Sequence, residues 1–403
     1  MIALPFNIPS APDWTIDWKG ITASPFGAVL EKMNGVRQNP VWHGEGDVLV
    51  HTRLVCDALV GDPAFRAMDE TGRAEVFVAA LLHDVGKIAK TRMENGTWVS
   101  PGHSIAGAQL VRKMLWQALD MAGTEEKRRF RETVCSLIRF HSAPPHFMSK
   151  SEPERFVGSI AAEGCVTEGF TLAKLGMLVR ADILGRTAGD TGRLLDELAL
   201  FTATAKELGC LDGPPRFADP FSRLAWLEGR TGYPEQKLYN DTWGRVYMMC
   251  ALPGTGKDTW IRSNLPDVPM VSLDAIRAEL GVSWEDGQGP VVARAFERAR
   301  EHLRAHRSFV WNATCLTPDF RRREIQLFRD YGAYTEIVVL EVPWEEGLRR
   351  NRNRKTVVPE DVIDSMLGRF TPPSVREAHE FMVYLPHGKE AHRPQDSLRD
   401  HGF

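Results

Sequence analysis

Residues 245–261 read RVYMMCALPGTGKDTWI. The apolar run at 246–250 predicts a strand, and the Gly-containing turn at 253–256 follows directly and ends at Lys257. Small residues allow backbone N–H groups to close around phosphate oxygens, and a lysine places positive charge beside them. The stretch therefore predicts a strand, a phosphate-cradling loop and a helix, in that order.

This loop and the first turn of the helix contain the predicted nucleotide contacts: Pro253, Gly254, Thr255, Gly256, Lys257, Asp258 and Thr259. The strict motif has glycine at its first position and serine or threonine directly after the lysine. Those positions hold Ala251 and Asp258, and a hydroxyl follows one residue later at Thr259. We expect ATP or another NTP to bind here with Mg²⁺, whose shell is completed by either Asp258 or Thr259.

Beyond the loop, predicted strands and helices alternate. The strands are expected at residues 268–273, 309–315 and 335–342, and the helices at 274–280, 291–306, 318–331, 343–354 and 359–370. Such alternation is typical of an α/β domain with a parallel sheet, in which ligands bind at the carboxyl ends of the strands. We therefore place the phosphate site at that edge.

Length and composition set the wider frame. A chain of 403 residues is longer than a single hydrophobic core usually accommodates, so two domains are expected. Its 43% of hydrophobic and 26% of charged residues are typical of a globular protein. A net charge of −3 argues against a general nucleic-acid coat protein. Apolar runs long enough for a membrane span are lacking, and the six dispersed cysteines form no CxxC pair. These features favour a reduced, cytoplasmic location.

Histidines are concentrated in the first half, where six of twelve lie between His43 and His146. Periodicity predicts helices from about residue 47 to 208, and His83, His141 and Asp182 continue the apolar faces of three of them. A single histidine on such a face usually bonds a carbonyl in the core. Burying an unpaired carboxylate is unfavourable, whereas imidazoles and carboxylates that converge can bind a transition metal.

These residues occur in an ordered set: His51, His83, Asp84, His103, His141 and Asp182. The set resembles the HD phosphohydrolase superfamily, whose pattern is H…HD…H…H…D on an all-helical domain. The resemblance implies that His51, His83, Asp84 and Asp182 hold a divalent transition metal such as Mn, Ni or Co. His103 and His141 would then hold either a second ion or the phosphate.

The sequence beside these residues resembles one particular kind of HD domain. Residues 39–52 (NPVWHGEGDVLVHT) are similar to the HD domain attached to bacterial tRNA nucleotidyltransferases. That similarity implies activity on 2′,3′-cyclic phosphates and 2′-phosphates of RNA. Lys87 and Arg186 are candidate phosphate contacts.

The second half carries further charged candidates. Asp274 lies at the end of a predicted strand, where it can face the loop as a base or cap the next helix, and Arg277 follows it. Arg350 and Arg354 lie one helical turn apart before a Val-Pro pair, where they can close over phosphates. With Lys257, these residues resemble the 5′-OH polynucleotide kinase family of phage and bacterial end-healing enzymes. That family implies a general-base Asp274 and catalytic Lys257, Arg277, Arg350 and Arg354.

Together the two halves are similar to bifunctional HD–polynucleotide kinase end-healing proteins. We expect an all-helical HD domain with its lead-in at 1–211, a connector at 212–242 and a P-loop kinase domain with a helical lid at 243–403. The predicted function is 5′-OH phosphorylation of RNA or DNA ends, together with 2′,3′-cyclic phosphodiesterase and 2′-phosphatase activity. A Lys-x-Asp-Gly ligase motif is lacking, so sealing would belong to a separate ligase.

The sequence leaves two alternative functions open. In one, a nucleotide phosphohydrolase is fused to a small-molecule kinase. In the other, the HD half is a ligand sensor that regulates the kinase half. The sequence does not decide the oligomeric state.

Overall fold

The protein is described by a computed structural model covering residues 2–165, 167–283, 286–354, 356–386 and 390–392. Residues 393–403 of the predicted kinase domain lie outside this description. The chain divides into two compact units, one formed by Met1–Met121 with Glu126–Pro215 and the other by Ala122–Glu125 with Arg216–Phe403. The predicted domain boundaries, with a connector at 212–242, stay a prediction.

The first unit is helical. Its α-helices are α1 (Trp18–Ala23), α2 (Pro25–Met33), α3 (Val48–Gly61), α4 (Pro63–Arg66), α5 (Glu70–Leu82), α6 (Lys87–Lys90), α7 (His103–Ala118), α8 (Glu125–Phe140), α9 (Pro153–Gly164), α10 (Leu172–Leu184) and α11 (Thr191–Glu207), with a 3₁₀ turn at Pro144–Ser149. Asp47 caps α3 by accepting a hydrogen bond from the Val50 N–H. The apolar faces of α3, α5, α8 and α10 enclose one core.

One element of this unit is not helical. Strands β1 (Arg92–Glu94) and β2 (Thr97–Val99) pair antiparallel around Asn95 and Gly96, both of which have positive φ. An Asn-Gly pair between two short strands is the usual signal for a tight hairpin. The expectation of a purely helical domain missed this hairpin, although its sequence signal was present.

The second unit is built on a sheet. Its strands are β3 (Trp243–Ala251), β4 (Met270–Ser272), β5 (Phe309–Asn312), β6 (Ala333–Leu340), β7 (Glu380–Tyr384) and β8 (Glu390–His392). They lie in the order β4-β5-β3-β6-β7-β8, with every pair parallel except β7–β8. The expected parallel sheet is confirmed, and β7 and β8 extend it at one side beyond the strands that were predicted.

Helices connect and cover these strands. They are α12 (Pro220–Leu227), α13 (Lys257–Asn264), α14 (Leu273–Leu280), α15 (Gly289–Arg304), α16 (Pro318–Asp330), α17 (Trp344–Arg352) and α18 (Glu360–Arg369). Met249, Val310 and Val338 of the sheet pack with Ile261 of α13 in one apolar cluster. The helix that begins at the loop is thereby fixed against the central strands.

Helix α17 ends two residues earlier than predicted. The Asn351 amide donates to the Val358 carbonyl at 2.7 Å and accepts from the Val358 N–H at 3.1 Å. These bonds turn the backbone toward α18, so Arg354 follows the helix instead of belonging to it.

Two further expectations concern the whole chain. All six cysteines have free thiols. Over the residues that the structure describes, no helix combines the length and apolarity that a membrane span requires.

Candidate functional site

Three histidines of the first unit, His83, His103 and His141, are oriented in the same local way. His83 follows the last residue of α5, His141 follows α8, and His103 begins α7. The Nδ1 atoms lie 2.8, 2.7 and 2.8 Å from the carbonyl oxygens of Ala80, Ile138 and Ser100 respectively, each three residues earlier. A neutral imidazole that donates from Nδ1 keeps the Nε2 lone pair for a ligand.

All six predicted metal-site residues come together. His51 on α3 and Asp182 on α10 meet with 3.0 Å between Nε2 and Oδ1, and His83 Nε2 lies 3.9 Å from the same oxygen. On the other side of the cluster, Asp84 Oδ1 lies 3.3 Å from His103 Nε2 and 3.8 Å from His141 Nε2. The His83-Asp84 pair therefore joins two groups of donors.

The donor set fits a divalent transition metal. Within the six predicted residues, two groups have ligand atoms mutually close enough for one ion: His51, His83, Asp182 and Asp84, His103, His141. A third such group, His43, Glu45 and His51, adjoins them. His83 Nε2 and Asp84 Oδ1 are buried and have no hydrogen-bond partner. Buried polar atoms ordinarily have partners, and coordination to a cation supplies them.

A glycine permits this assembly. A Cβ added to Gly86 would lie 2.0 Å from the His103 carbonyl oxygen, so the turn after Asp84 packs directly on the start of α7. The close approach brings His103 to the Asp84 carboxylate. A side chain at position 86 would separate the two halves of the cluster.

Glu45 supports the cluster, and the sequence interpretation did not assign it a role. Its Oε1 atom lies 2.9 Å from His51 Nδ1 and 2.8 Å from His43 Nδ1, and its Oε2 atom accepts from the Thr187 N–H. A carboxylate on the far nitrogen of a metal-binding histidine orients the ring and raises its basicity. The sequence signal for Glu45 is its position six residues before His51, within residues 39–52, which resemble the HD domain attached to tRNA nucleotidyltransferases.

Two cations adjoin the carboxylates. Lys87 Nζ lies 2.7 Å from Asp84 Oδ2 and also donates to Gln38, and Arg186 Nη2 lies 2.7 Å from Asp182 Oδ2. Burial alone would raise the pKa of Asp84, but Lys87 and His83 hold it well below its usual range. Arg186 and the hydrogen bond from His51 do the same for Asp182 against the effect of burial. Both carboxylates are therefore ionised ligand candidates.

In the second unit, the predicted nucleotide residues line one cavity of about 680 Å³. It lies at the carboxyl edge of the parallel strands, where β3, β4 and β6 lead into the loop, Asp274 and Glu341. Except for Pro253, all of the predicted nucleotide contacts line this cavity: Gly254, Thr255, Gly256, Lys257, Asp258 and Thr259. The edge agrees with the position expected for a parallel sheet.

The loop itself is suited to phosphate. Helix α13 starts at Lys257 with no side chain capping its first N–H groups, which are thus available to an anion. Gly254 has φ +83°, and a Cβ there would meet the Gly347 carbonyl oxygen at 2.3 Å. The loop therefore needs glycine both for its backbone conformation and for its contact with α17. Burial lowers the pKa of Lys257, and the nearby charge of Asp274 raises it by a smaller amount, so the pKa lies below its usual value.

Asp274 and Arg277 are adjacent, but only Asp274 lines the cavity. Arg277 donates to Asp274 Oδ1 and to Gln288 Oε1. Ser272 caps α14 by accepting from the Ala275 N–H, so Asp274 is free of the capping role that the sequence left open. The Asp274 side chain is 74% exposed.

Both lid arginines line the cavity. Arg350 donates from Nη1 to the Thr255 carbonyl oxygen at 3.4 Å and from Nε to Glu346 at 2.5 Å. Glu346 thus holds the guanidinium against the loop backbone. Arg354 adds a second positive charge at the same opening.

Two known families match the chain, one in each of its two units. Residues 56–158 match the HD domain family, and residues 246–373 match a family described as an AAA domain. The chain joins an HD domain to a P-loop kinase-like domain. The HD match includes His83, Asp84, His103 and His141, whereas His51 and Asp182 lie outside it. These two domains support an enzyme with kinase and phosphohydrolase activities.

Solved structures similar to the chain include two kinases. An unliganded sugar kinase from Janibacter sp. HTCC2649 is 17% identical, with 38% of this chain and 90% of that chain covered and a TM-score of 0.27. A gluconokinase from Sinorhizobium meliloti 1021 is 15% identical, with 39% and 89% covered and a TM-score of 0.26. Neither similarity carries information on the substrate of this chain.

Proposed function

We propose that this protein heals broken ends of RNA or DNA. Its kinase domain would transfer the ATP γ-phosphoryl group to a 5′-hydroxyl, and its HD domain would hydrolyse a 2′,3′-cyclic phosphate or a 2′-phosphate at the other end. A separate ligase would then seal the ends. The observation that carries this proposal is the exposed carboxylate of Asp274 at the rim of the P-loop cavity.

A general base must be able to contact the acceptor hydroxyl. The exposure of that base therefore affects which acceptors can reach it. Asp274 lines the same cavity as Lys257, and its side chain is 74% exposed. An open acceptor side admits the end of a long chain, whereas pockets for small molecules bury most of their ligand. This favours a polynucleotide over a sugar or a free nucleoside.

The remaining kinase residues have electrostatic roles in this proposal. Lys257 and the loop N–H groups bind the β- and γ-phosphates, and Arg350 with Arg354 stabilises charge that develops during transfer. Arg277 holds the Asp274 carboxylate in place through its ion pair. Mg²⁺, when bound with ATP, neutralises phosphate charge.

In the HD domain, the proposal assigns the cluster to phosphoester hydrolysis. A divalent metal there supplies Lewis-acid assistance. Most of the cluster is buried, but the side chains of His103 and Arg186 remain 19% and 23% exposed. A substrate phosphate would approach at such a partly exposed edge, and Lys87 and Arg186 offer positive charge beside the two carboxylates. The complete set of metal-ligand candidates makes a ligand sensor with a structural metal the less favoured alternative.

An acceptor comparison tests the proposal. The full chain, with ATP and Mg²⁺, is assayed on 5′-OH RNA and DNA oligonucleotides, nucleosides and simple sugars, and Lys257→Ala controls for contaminating kinases. We expect oligonucleotides to be phosphorylated far more efficiently than the small acceptors. Preferential phosphorylation of a nucleoside or sugar would instead support the small-molecule kinase alternative.

A further inference from the structure

The P-loop carries a carboxylate where such loops ordinarily carry a hydroxyl. Asp258 directly follows Lys257, at the position of the serine or threonine that binds Mg²⁺ in P-loop NTPases. In those enzymes, the second protein group at the metal is an aspartate from a neighbouring strand. Here strand β5, next to β3, ends in the neutral Asn312.

Asp258 and Asn312 contact each other. The Asn312 Nδ2 atom donates to Asp258 Oδ1 at 2.8 Å, and the amide's other contact is to Met270 Sδ at 3.4 Å. Asn312 is 7% exposed, so its side chain is held within the domain. Asp258 also lines the P-loop cavity. The amide of Asn312 on the strand is the donor of this pair, and the carboxylate of Asp258 on the loop is the acceptor. Compared with the usual arrangement, the negative charge therefore lies on the loop instead of the strand.

We propose that Asp258 is the protein's ligand for the Mg²⁺ that accompanies ATP, and that Asn312 is a positioning residue for its carboxylate. The inference rests on the phosphoryl-transfer part of the proposed function and not on the identity of the acceptor. The donors at the cavity fit this ion, because Mg²⁺ prefers oxygen ligands and usually takes only one or two carboxylates besides phosphates and water. Asp258 supplies such a carboxylate.

Thr259 is the competing ligand. Thr259 also lines the cavity, but its Oγ1 atom already accepts a hydrogen bond from Arg262 Nη2 at 3.3 Å. No contact from the strand edge orients it in the part of the chain that the structure describes. Asp258 has that support and the charge that a divalent cation prefers.

A charged ligand at this position has a measurable consequence. Without metal, the Asp258 carboxylate and the ATP phosphates repel each other. Mg²⁺, when bound, would attract both the carboxylate and the phosphates and so offset this repulsion. Nucleotide binding should therefore depend on Mg²⁺ more strongly than in a loop with a hydroxyl.

The test is a charge-exchange cycle in the full chain. The dissociation constant of a non-hydrolysable fluorescent ATP analogue is measured in EDTA and in Mg²⁺ for wild type, Asp258→Ser, Asn312→Asp and the double variant. Asp258→Ser should tighten metal-free binding and reduce the gain from Mg²⁺ by about 10–100-fold, the usual effect of disturbing a metal site. The double variant should regain most of that dependence, because the carboxylate returns at the strand end.

Controls make the result decisive. Lys257→Ala reports nucleotide bound elsewhere, and Thr259→Val should lower the Mg²⁺ dependence much less than Asp258→Ser does. Asp258→Asn keeps the size of the side chain and decides the question if Asp258→Ser unfolds. Wild-type Mg²⁺ dependence in both Asp258 variants would overturn the proposal, as would its loss in Thr259→Val alone. Because no acceptor is present, a failure of 5′-OH kinase activity would leave this measurement unaffected.

Discussion

Replacing Asp274 by alanine separates a catalytic carboxylate from a structural one. The proposal makes Asp274 the base that accepts the proton of the 5′-hydroxyl, so kinase turnover should fall by about 10²–10⁴-fold. Lys257 and the loop N–H groups remain, so ATP affinity should stay close to wild type. Hydrolysis by the HD domain should be unchanged, since its candidate ligands lie in the other unit.

The structure also limits the effect on stability. Ser272 caps α14, so Asp274→Ala removes no capping bond. What is lost is a carboxylate in the first helical turn, worth about 0.3–1 kcal/mol, and an exposed ion pair with Arg277, worth about 0–1 kcal/mol. Because the Asp274 side chain is 74% exposed, solvent screening puts the sum near the lower end. The melting temperature should therefore change by only a few degrees.

A matched control is available on α16. Asp319 lies in the first turn of that helix and pairs with Arg322 three residues later at 3.2 Å, with the Asp319 side chain 88% exposed. Asp319→Ala should show a similar small thermal shift with full kinase activity. Steady-state phosphorylation, ATP binding and thermal denaturation are measured on both variants. Equal kinase activities in the two variants would refute the assignment of Asp274 as the base.

Three other perturbations test the remaining assignments. Asp84→Ala should abolish phosphoesterase turnover and lower the bound metal measured by elemental analysis, with kinase activity kept; full metal content with undiminished hydrolysis would exclude the cluster. Glu45→Gln should weaken metal affinity by about 10–100-fold through loss of its contact with His51, and an unchanged metal titration would make Glu45 a packing residue. Arg350→Lys keeps the charge but loses the fork between Thr255 and Glu346, so it should reduce kinase turnover more than Arg322→Lys on a solvated face.

Much of the HD cluster was predictable because its residues follow a recognised order along the chain, although His51 and Asp182 are 131 residues apart. His83, His103 and His141 are each oriented by a carbonyl three residues earlier, and the order of the ligands along the chain carries the pattern. The helical periodicity placed His83 within a helix, whereas α5 ends one residue before it. Periodicity identifies the buried face but does not define where a helix stops.

Contacts between distant segments that no recognised motif connects could not be predicted from the sequence. Asp258 and Asn312 are 54 residues apart, and their hydrogen bond follows from the placement of β5 beside β3. Strand β7 was not predicted, because it is only five residues long and lies after the segment in which predicted strands and helices alternate. The cap of α14 was ambiguous for another reason: Ser272 and Asp274 are both good capping residues, and only the backbone decides between them.

The most direct test of end healing uses a single substrate with both kinds of damage. An RNA oligonucleotide carrying a 5′-OH and a 2′,3′-cyclic phosphate is incubated with the full chain, ATP, Mg²⁺ and Mn²⁺, Ni²⁺ or Co²⁺, and its mass is followed. We predict conversion to a 5′-phosphate and a 3′ end with free hydroxyls, with Lys257→Ala blocking only the first change and Asp84→Ala only the second. An RNA that keeps both original ends, under conditions where the same preparation phosphorylates a small molecule, would contradict the account.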